Sequence, residues 1–382
     1  MKKTAAQLQT ALMREYYTWF SKYAKGKRPE KKVAWVTAFT PVEILEALDM
    51  LYYYPESYAA VIAASEKEQD LLNESERQYL SRDCCSYSCC IEGCLQLENG
   101  PRGILPVPDI LIATNNQCNT LPNWWNILAE RYQVPLIVID YPGDIIDQES
   151  AFDYVDKQHK KLIKDLETLT GKTMDYDKLR NMIANSQNSV SAWNSVISCL
   201  PVYEISPTDL FDGISFLITS RCKEATAELY RLMYEKLKEK PAAAKDQIPV
   251  FWLGYPLWYH PQRYLQEVLT GYRIAGSNYI TWWSIDYCGN DSFERLFHAY
   301  NYTFLNLSQE NRNKRLEASI SESGAVCAIT LHNKSCKCDF VSAKNISIPQ
   351  VEIEIDMIDR QFLDISKVKK QMHIQKDVLC SI

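Results

Sequence analysis

Apolar residues recur along this chain with two periods, and their alternation predicts the order of its elements. Residues 5–24 carry apolar side chains at helical spacing and run out at Gly26 and Pro29, which predicts one amphipathic helix. KKVAWVTAF (31–39) then reads as a strand, and Thr40-Pro41 as the start of a helix through EILEALDML. Pro55 in YYYPESYAAVIAA opens a further helix and leaves Glu56 in its first turn. Residues 66–83 are charged and helical, and the Gly100-Pro101 pair and the prolines around Val107 lead into the apolar run beginning at Ile110. A returning helix from Trp124 to Gln133 and the strand VPLIVID (134–140) complete a β-α-β unit. Continuous Val, Ile and Leu strands in that order belong to a doubly wound parallel sheet.

From residue 150 to about 240 the period is helical throughout, and PAAAKDQ reads as a linker. Strands resume at PVFWLGY (249–255), YRIAGSNYI (272–280), GAVCAITL (324–331) and QVEIEID (350–356). The stretches HPQRYLQEVL, FERLFHAYNYTFLN and ENRNKRLEASIS between them read as helices, which predicts a second β-α-β sheet. The expected fold is α/β, with two doubly wound parallel-sheet domains and an added helical layer. Its expected parts are an N-terminal helical segment (1–30), a first α/β domain (31–149), a helical region (150–245) and a second α/β domain (246–382). No repeat is visible.

Composition narrows the function classes. The 382 residues carry a formal charge of −6 with both signs well mixed, so no basic face for nucleic acid is expected. No apolar run approaches the roughly 18 residues of a membrane span. The opening MKKTAAQLQTALMREYY begins like a signal peptide, but Gln7, Gln9, Arg14 and Glu15 interrupt any apolar core, and a cytoplasmic helix is expected. Asn301-Tyr-Thr303 and Asn333-Lys-Ser335 are then chance matches to a glycosylation triplet. Thirteen cysteines, an odd number, fit a disulfide framework poorly, and clustered thiols in a reducing compartment more often hold metal.

Cys118 follows the Ile110 strand in the loop NNQCNT, where loops leaving strand ends line the ligand crevice of an open α/β sheet. Alone it would read as a buried structural thiol. Two more groups, CCSYSCC (84–90) and KSCKC around Cys336, stand after strand-like or turn-like segments, so three loops could converge on one metal centre. Cys85, Cys118 and Cys336, one thiolate from each, fit no zinc pattern but suit an iron–sulfur cluster with one open iron; reduced bystander thiols are the alternative. Cys84, Cys89, Cys90, Cys94 and Cys338 are too many for one cluster, which leaves spectators or a second or larger cluster, and Cys199 and Cys222 read as core. His159, His260, His298, His332 and His373 show no metal spacing, and His332 is either a hydrogen-bond donor beside Cys336 or a surface loop residue. Neither a G-x-S-x-G elbow nor a P-loop is present. Glu56 either compensates a helix N-terminus or does chemistry.

These residues carry a resemblance. VTAFTPVEILEALDM with YYPESYAA, DCCSYSC, LPVPDILIATNNQCNTLPNWWNILAERYQVPLIVIDYP, and LHNKSC with VEIEIDMID together resemble a subunit of the (R)-2-hydroxyacyl-CoA dehydratase and benzoyl-CoA reductase family over nearly the whole length. The resemblance implies two Rossmann-like domains with one [4Fe-4S] cluster between them, held by Cys85, Cys118 and Cys336. It also implies an active-site carboxylate on Glu56, in YPES, and a substrate-contacting hydroxyl region at Thr37 or Thr40. Ser88-Cys89-Cys90 and Asn123 depart from the usual pattern beside the cluster, and the cysteine-rich stretch keeps a double-cubane cluster as an alternative.

The activity so implied is removal of water from a (R)-2-hydroxyacyl-CoA to give a 2-enoyl-CoA. The β-hydrogen of such a thioester is barely acidic until an electron makes the carbonyl a ketyl radical, so a low-potential cluster is required. The implied partners are a paralogous second subunit in a heterodimer, an acyl-CoA and a separate ATP-dependent iron–sulfur activator. A benzoyl-CoA-reductase-type subunit and an electron-transfer protein without substrate chemistry are the other readings.

Overall fold

The computed structural model describes residues 3–23, 29–78, 80–101, 103, 105–259, 265, 267–336 and 346–380. His260, Cys338 and most of HPQRYLQEVL lie outside them. The first part contains α1 (Ala5–Tyr23), β1 (Val33–Val36), α2 (Val42–Ala47), β2 (Leu51–Tyr53), α3 (Pro55–Ala64), α4 (Glu68–Arg77), α5 (Ser86–Gln96), β3 (Ile110–Thr114), α6 (Thr120–Tyr132) and β4 (Leu136–Ile139). Four helices follow: α7 (Gln148–Thr170), α8 (Tyr176–Ile197), α9 (Pro207–Thr219) and α10 (Glu224–Lys238). The last part contains β5 (Ile248–Leu253), β6 (Tyr272–Ser277), α11 (Asn278–Trp282), α12 (Ser292–Asn301), α13 (Gln309–Ser323), β7 (Cys327–Asn333), β8 (Gln350–Ile355) and α14 (Ile365–Cys380).

The strands form two four-stranded parallel sheets, ordered β2-β1-β3-β4 and β6-β5-β7-β8. The expected α/β class with doubly wound sheets and a helical layer is what the chain adopts. In each sheet the strand order reverses beside the first central strand, between β1 and β3 and between β5 and β7, and ligands of such sheets bind outside the strand ends at that point. The central strands of the first sheet are fully buried, as continuous apolar runs require: Trp35 in β1 pairs with Leu111 of β3 and Tyr53 of β2. The layer helices begin at side-chain caps, with Asp147, Asp175 and Ser206 each accepting backbone N–H groups of the first turn. Leu8, Leu12 and Phe20 of α1 join the same core, and Phe20 stacks on Tyr53 at 5.3 Å. Among the described residues no helix is long and apolar enough to cross a membrane.

Several local expectations are corrected. The helix after Thr40 stops at Ala47 with Pro41 as its cap, because Leu51–Tyr53 pairs with β1 as the strand β2. The charged helix ends at Arg77, short of residue 83. The cysteine-rich stretch is not only a loop: from Ser86 it is α5, packed so closely on α4 that a Cβ at Gly93 would lie 2.1 Å from the Leu71 carbonyl oxygen. The helix after Cys118 starts at Thr120, not Trp124.

Candidate active site between the two sheets

The turn after β1 and the loop after β3 mark the first reversal point, and the segments after β5 and β7 mark the second. Both flank one cavity of about 460 Å³, to which Ala38, Phe39 and Gln117 belong on one side and Tyr255 and Trp258 on the other. The three singled-out cysteines do not line it, but Cys336 and Cys118 lie near enough to act on Cys85 beside it. Cys85 is the N-cap of α5, Cys118 stands two residues before α6, and Cys336 follows β7. All three are half-buried. Two serines lock the first and third together: Ser86 N–H donates to Ser335 Oγ at 3.2 Å, and the two hydroxyls are 3.0 Å apart. Asp356 accepts the Ser335 N–H at 3.3 Å and fixes that loop in turn. Burial pushes the Cys85 thiol well up, and the nearby Cys336, Cys118 and Glu56 act on it as well. Helix N-termini at Cys85 and Cys118 favour a thiolate by about 0.3–1 kcal/mol, too little to ionise a buried thiol without a metal's charge.

Glu56, the second residue of α3, lines the cavity at the same end. Its Oε2 accepts the Ala38 N–H at 3.3 Å. Burial pushes its carboxyl up to about 8, and Cys118 pushes in the same direction. The N-terminus of α3 opposes this by only about 0.3–1 kcal/mol. The hydroxyls of Tyr87 and Tyr279 are close enough to feel the charge of Glu56, and Trp258 Nε1 donates to Tyr87 at 2.6 Å.

Thr37 and Thr40 are not brought to the cavity. Thr37 Oγ1 lies 3.2 Å from Thr40 Oγ1 and 3.0 Å from Thr114 Oγ1, and it accepts the Thr114 N–H at 3.2 Å. A fully buried hydroxyl must find protein partners, and these two are satisfied behind the Ala38 turn. Their hydroxyls thus have protein partners, and the expected contact with substrate rests on the resemblance alone. Behind them is a feature the sequence did not reveal. Arg221 and Glu43, 2% and 0% exposed, form an ion pair at 3.2 Å, and Arg221 Nη2 donates to the Thr40 carbonyl at 2.9 Å. Glu43 also accepts the hydroxyls of Ser186, Tyr287 and Tyr300 at 2.7, 2.7 and 2.6 Å.

Of the remaining cysteines, Cys84 is exposed, while Cys89, Cys90 and Cys94 are buried on α5. Cys199 and Cys222 are core, as expected. His332 approaches Glu352 at 3.2 Å, across β8. Among the described residues no three His, Cys, Asp or Glu side chains are close enough to hold a single metal ion. Cys336 and Cys118 both act on the Cys85 thiol, so the three loops bring these sulfurs near one another.

The 2-hydroxyglutaryl-CoA dehydratase, D-component family matches residues 37–373. The chain belongs to that family. It is thereby a dehydratase component, of the hydro-lyase class. Similar proteins include the lactoyl-CoA dehydratase subunit alpha of Anaerotignum propionicum, 28% identical across 88% of this chain and 87% of the relative. The (R)-2-hydroxyisocaproyl-CoA dehydratase alpha subunit of Clostridioides difficile is 29% identical across 88% and 84%. A benzoyl-CoA reductase subunit of Thauera aromatica is 25% identical across 56% and 52%.

Proposed function

We propose that this dehydratase-family chain is the iron–sulfur subunit of an oxygen-sensitive enzyme that removes water from (R)-2-hydroxyacyl-CoA. Cys85, Cys118 and Cys336 hold one [4Fe-4S] cluster, and Glu56 handles the proton or hydroxyl of the substrate. The observation that supports this reading is that Cys336, Cys118 and Glu56 all lie close enough to act on the Cys85 thiol, while Glu56, bearing its proton, lines a cavity between two strand-order reversals.

Such a cluster, when bound, supplies a low-potential electron to the thioester and a Lewis-acidic open iron. The rest falls to the chain. Ala38 N–H fixes one oxygen of Glu56, so the other is free to meet the substrate. At neutral pH a carboxyl pushed up to about 8 keeps its proton and can give it to a leaving hydroxyl; once ionised it can take the β-proton. The rings of Tyr87, Trp258 and Tyr279 exclude water from that exchange.

The alpha-subunit names of the relatives support a second, paralogous subunit in a heterodimer. An ATP-hydrolysing iron–sulfur activator, implied by the family resemblance, completes the proposed system. The proposed setting is the cytoplasm. The benzoyl-CoA reductase relative supports a second reading, in which the electrons remain in the product. Anaerobic assays with partner and activator separate the two. Formation of 2-enoyl-CoA without net reductant consumption is expected; stoichiometric consumption of reductant would favour the reductase, and no turnover of any 2-hydroxyacyl-CoA would overturn the proposal.

A further inference from the structure

The cavity that ends at Glu56 continues along α3. Glu56, Ser57, Ala60, Val61, Ala64 and Ser65 all face it, a single stripe along the helix. At 1.5 Å per residue that wall is about 13 Å long. Small side chains at Ser57, Ala60 and Ala64 leave the opening, and Phe216 and Thr219 of α9 also line the cavity. It is too long for a short acyl group alone and matches an acyl group with the start of a pantetheine arm.

Its two kinds of surface differ. Beside Glu56 stands a block of rings: Phe39 stacks on Trp283 at 4.6 Å, Tyr255 meets Trp282 at 5.4 Å, and Trp258 meets Tyr279 at 6.1 Å. All six of these side chains line the cavity. No cationic side chain stands among the described lining residues, whose carboxyls are Glu56, which keeps its proton, and the exposed Asp209 and Asp212 of α9. A second carboxylate on a ligand would lose its water against aromatic faces with no cation to pair with. An aryl or branched alkyl group would instead cover those faces, in the stacked and edge-on arrangements that aromatic pairs favour.

We propose that the ring block beside Glu56 receives the substituent on the β-carbon of the acyl group, so that the chain selects aryl and branched-alkyl 2-hydroxyacyl thioesters and refuses dicarboxylic ones. This deepens the dehydratase reading and rests on it. The reacting end of the acyl group lies at Glu56, and its substituent turns to the rings. A lone methyl substituent leaves most of the ring surface uncovered and binds weakly.

The test is calorimetric binding to the anaerobically purified complex, using thioesters that lack the 2-hydroxyl and therefore cannot react. 3-Phenylpropanoyl-CoA and 4-methylpentanoyl-CoA are expected to bind at least tenfold more tightly than glutaryl-CoA and propanoyl-CoA. Glutaryl-CoA binding as tightly as the phenyl compound would overturn the inference, as would failure of every thioester to bind. Tyr255→Arg, which sets a cation within the ring block, is expected to narrow the gap at least tenfold in favour of glutaryl-CoA. The two readings fail separately. Aryl preference without water elimination from the matching 2-hydroxy thioester keeps this inference and removes the dehydratase one, whereas water elimination with glutaryl preference does the reverse.

Discussion

Glu43 and Glu56 lie thirteen positions apart, in the first turns of α2 and α3, and the protein treats them in opposite ways. Burial drives both carboxyls up. At Glu43 it is outweighed by Arg221 and by hydroxyls of Tyr300, Ser186 and Tyr287, so that carboxyl is held below its usual range. At Glu56 one backbone N–H opposes burial and Cys118, and the carboxyl rises to about 8. The first arrangement gives both oxygens partners within the protein and ties α2 to α8 and to the Tyr287–Tyr300 region. The second leaves a proton-bearing group facing a cavity. A buried carboxylate with a full set of partners builds structure; one with a single partner is equipped for chemistry.

That contrast can be broken at several points. Glu56→Gln keeps the shape and removes the titrating group, and turnover of the complete complex is expected to fall about 10²–10⁴-fold with iron content unchanged; a loss under threefold would assign Glu56 to the helix N-terminus. Arg221→Met strands Glu43 in the core and is expected to cost about 3–5 kcal/mol in urea unfolding. A cost below about 1 kcal/mol, within the range of an ordinary surface pair, would mean that the hydroxyls alone satisfy Glu43.

His159 on α7 extends the Glu43 side of the comparison. It is fully buried, its Nε2 lies 2.8 Å from Tyr141 Oη, and burial lowers it to about 4 although the charge of Glu43 pulls it upward. Because the unfolded chain takes up this proton first, its contribution to stability is complete above about pH 6.5 and is lost as pH falls towards 4, about 3 kcal/mol in all. Urea titrations across that range should show the loss, and His159→Gln should flatten it. The smallest effect is expected at Thr37→Val, about 1–3 kcal/mol from orphaned partners with turnover within tenfold of wild type. A fall like that of Glu56→Gln would bring the hydroxyl back into contact with substrate.

The strands and the helical layer were legible because their periods are long and unmixed. β2 was not, since Leu51–Tyr53 is three residues long and its apolar pattern runs unbroken into Pro55. α5 was hidden by composition: Cys, Ser and Gly are modest helix formers, and close packing of Gly93 on Leu71 accompanies the helix there. The three cysteine loops could be read from their places after strands and turns. The ion pair could not, because Glu43 and Arg221 are 178 positions apart with nothing in the sequence to link them. Nor could the ring block, whose members come from the turn after β1, the segment after β5 and the helix after β6. Thr37 and Thr40 were placed at the right turn, but their hydroxyls point to Thr114 and to each other, a register of side chains that only the folded sheet fixes.

The central claim is that Cys85, Cys118 and Cys336 share one cluster at the Glu56 end of the cavity. Iron and sulfide analysis of the anaerobically purified chain, with EPR after reduction, compares wild type with Cys118→Ala most directly. About four irons per wild-type chain and loss of nearly all of them in the variant are predicted. About eight irons would indicate a double-cubane centre, and full iron retention in Cys118→Ala, or none in wild type, would contradict the account.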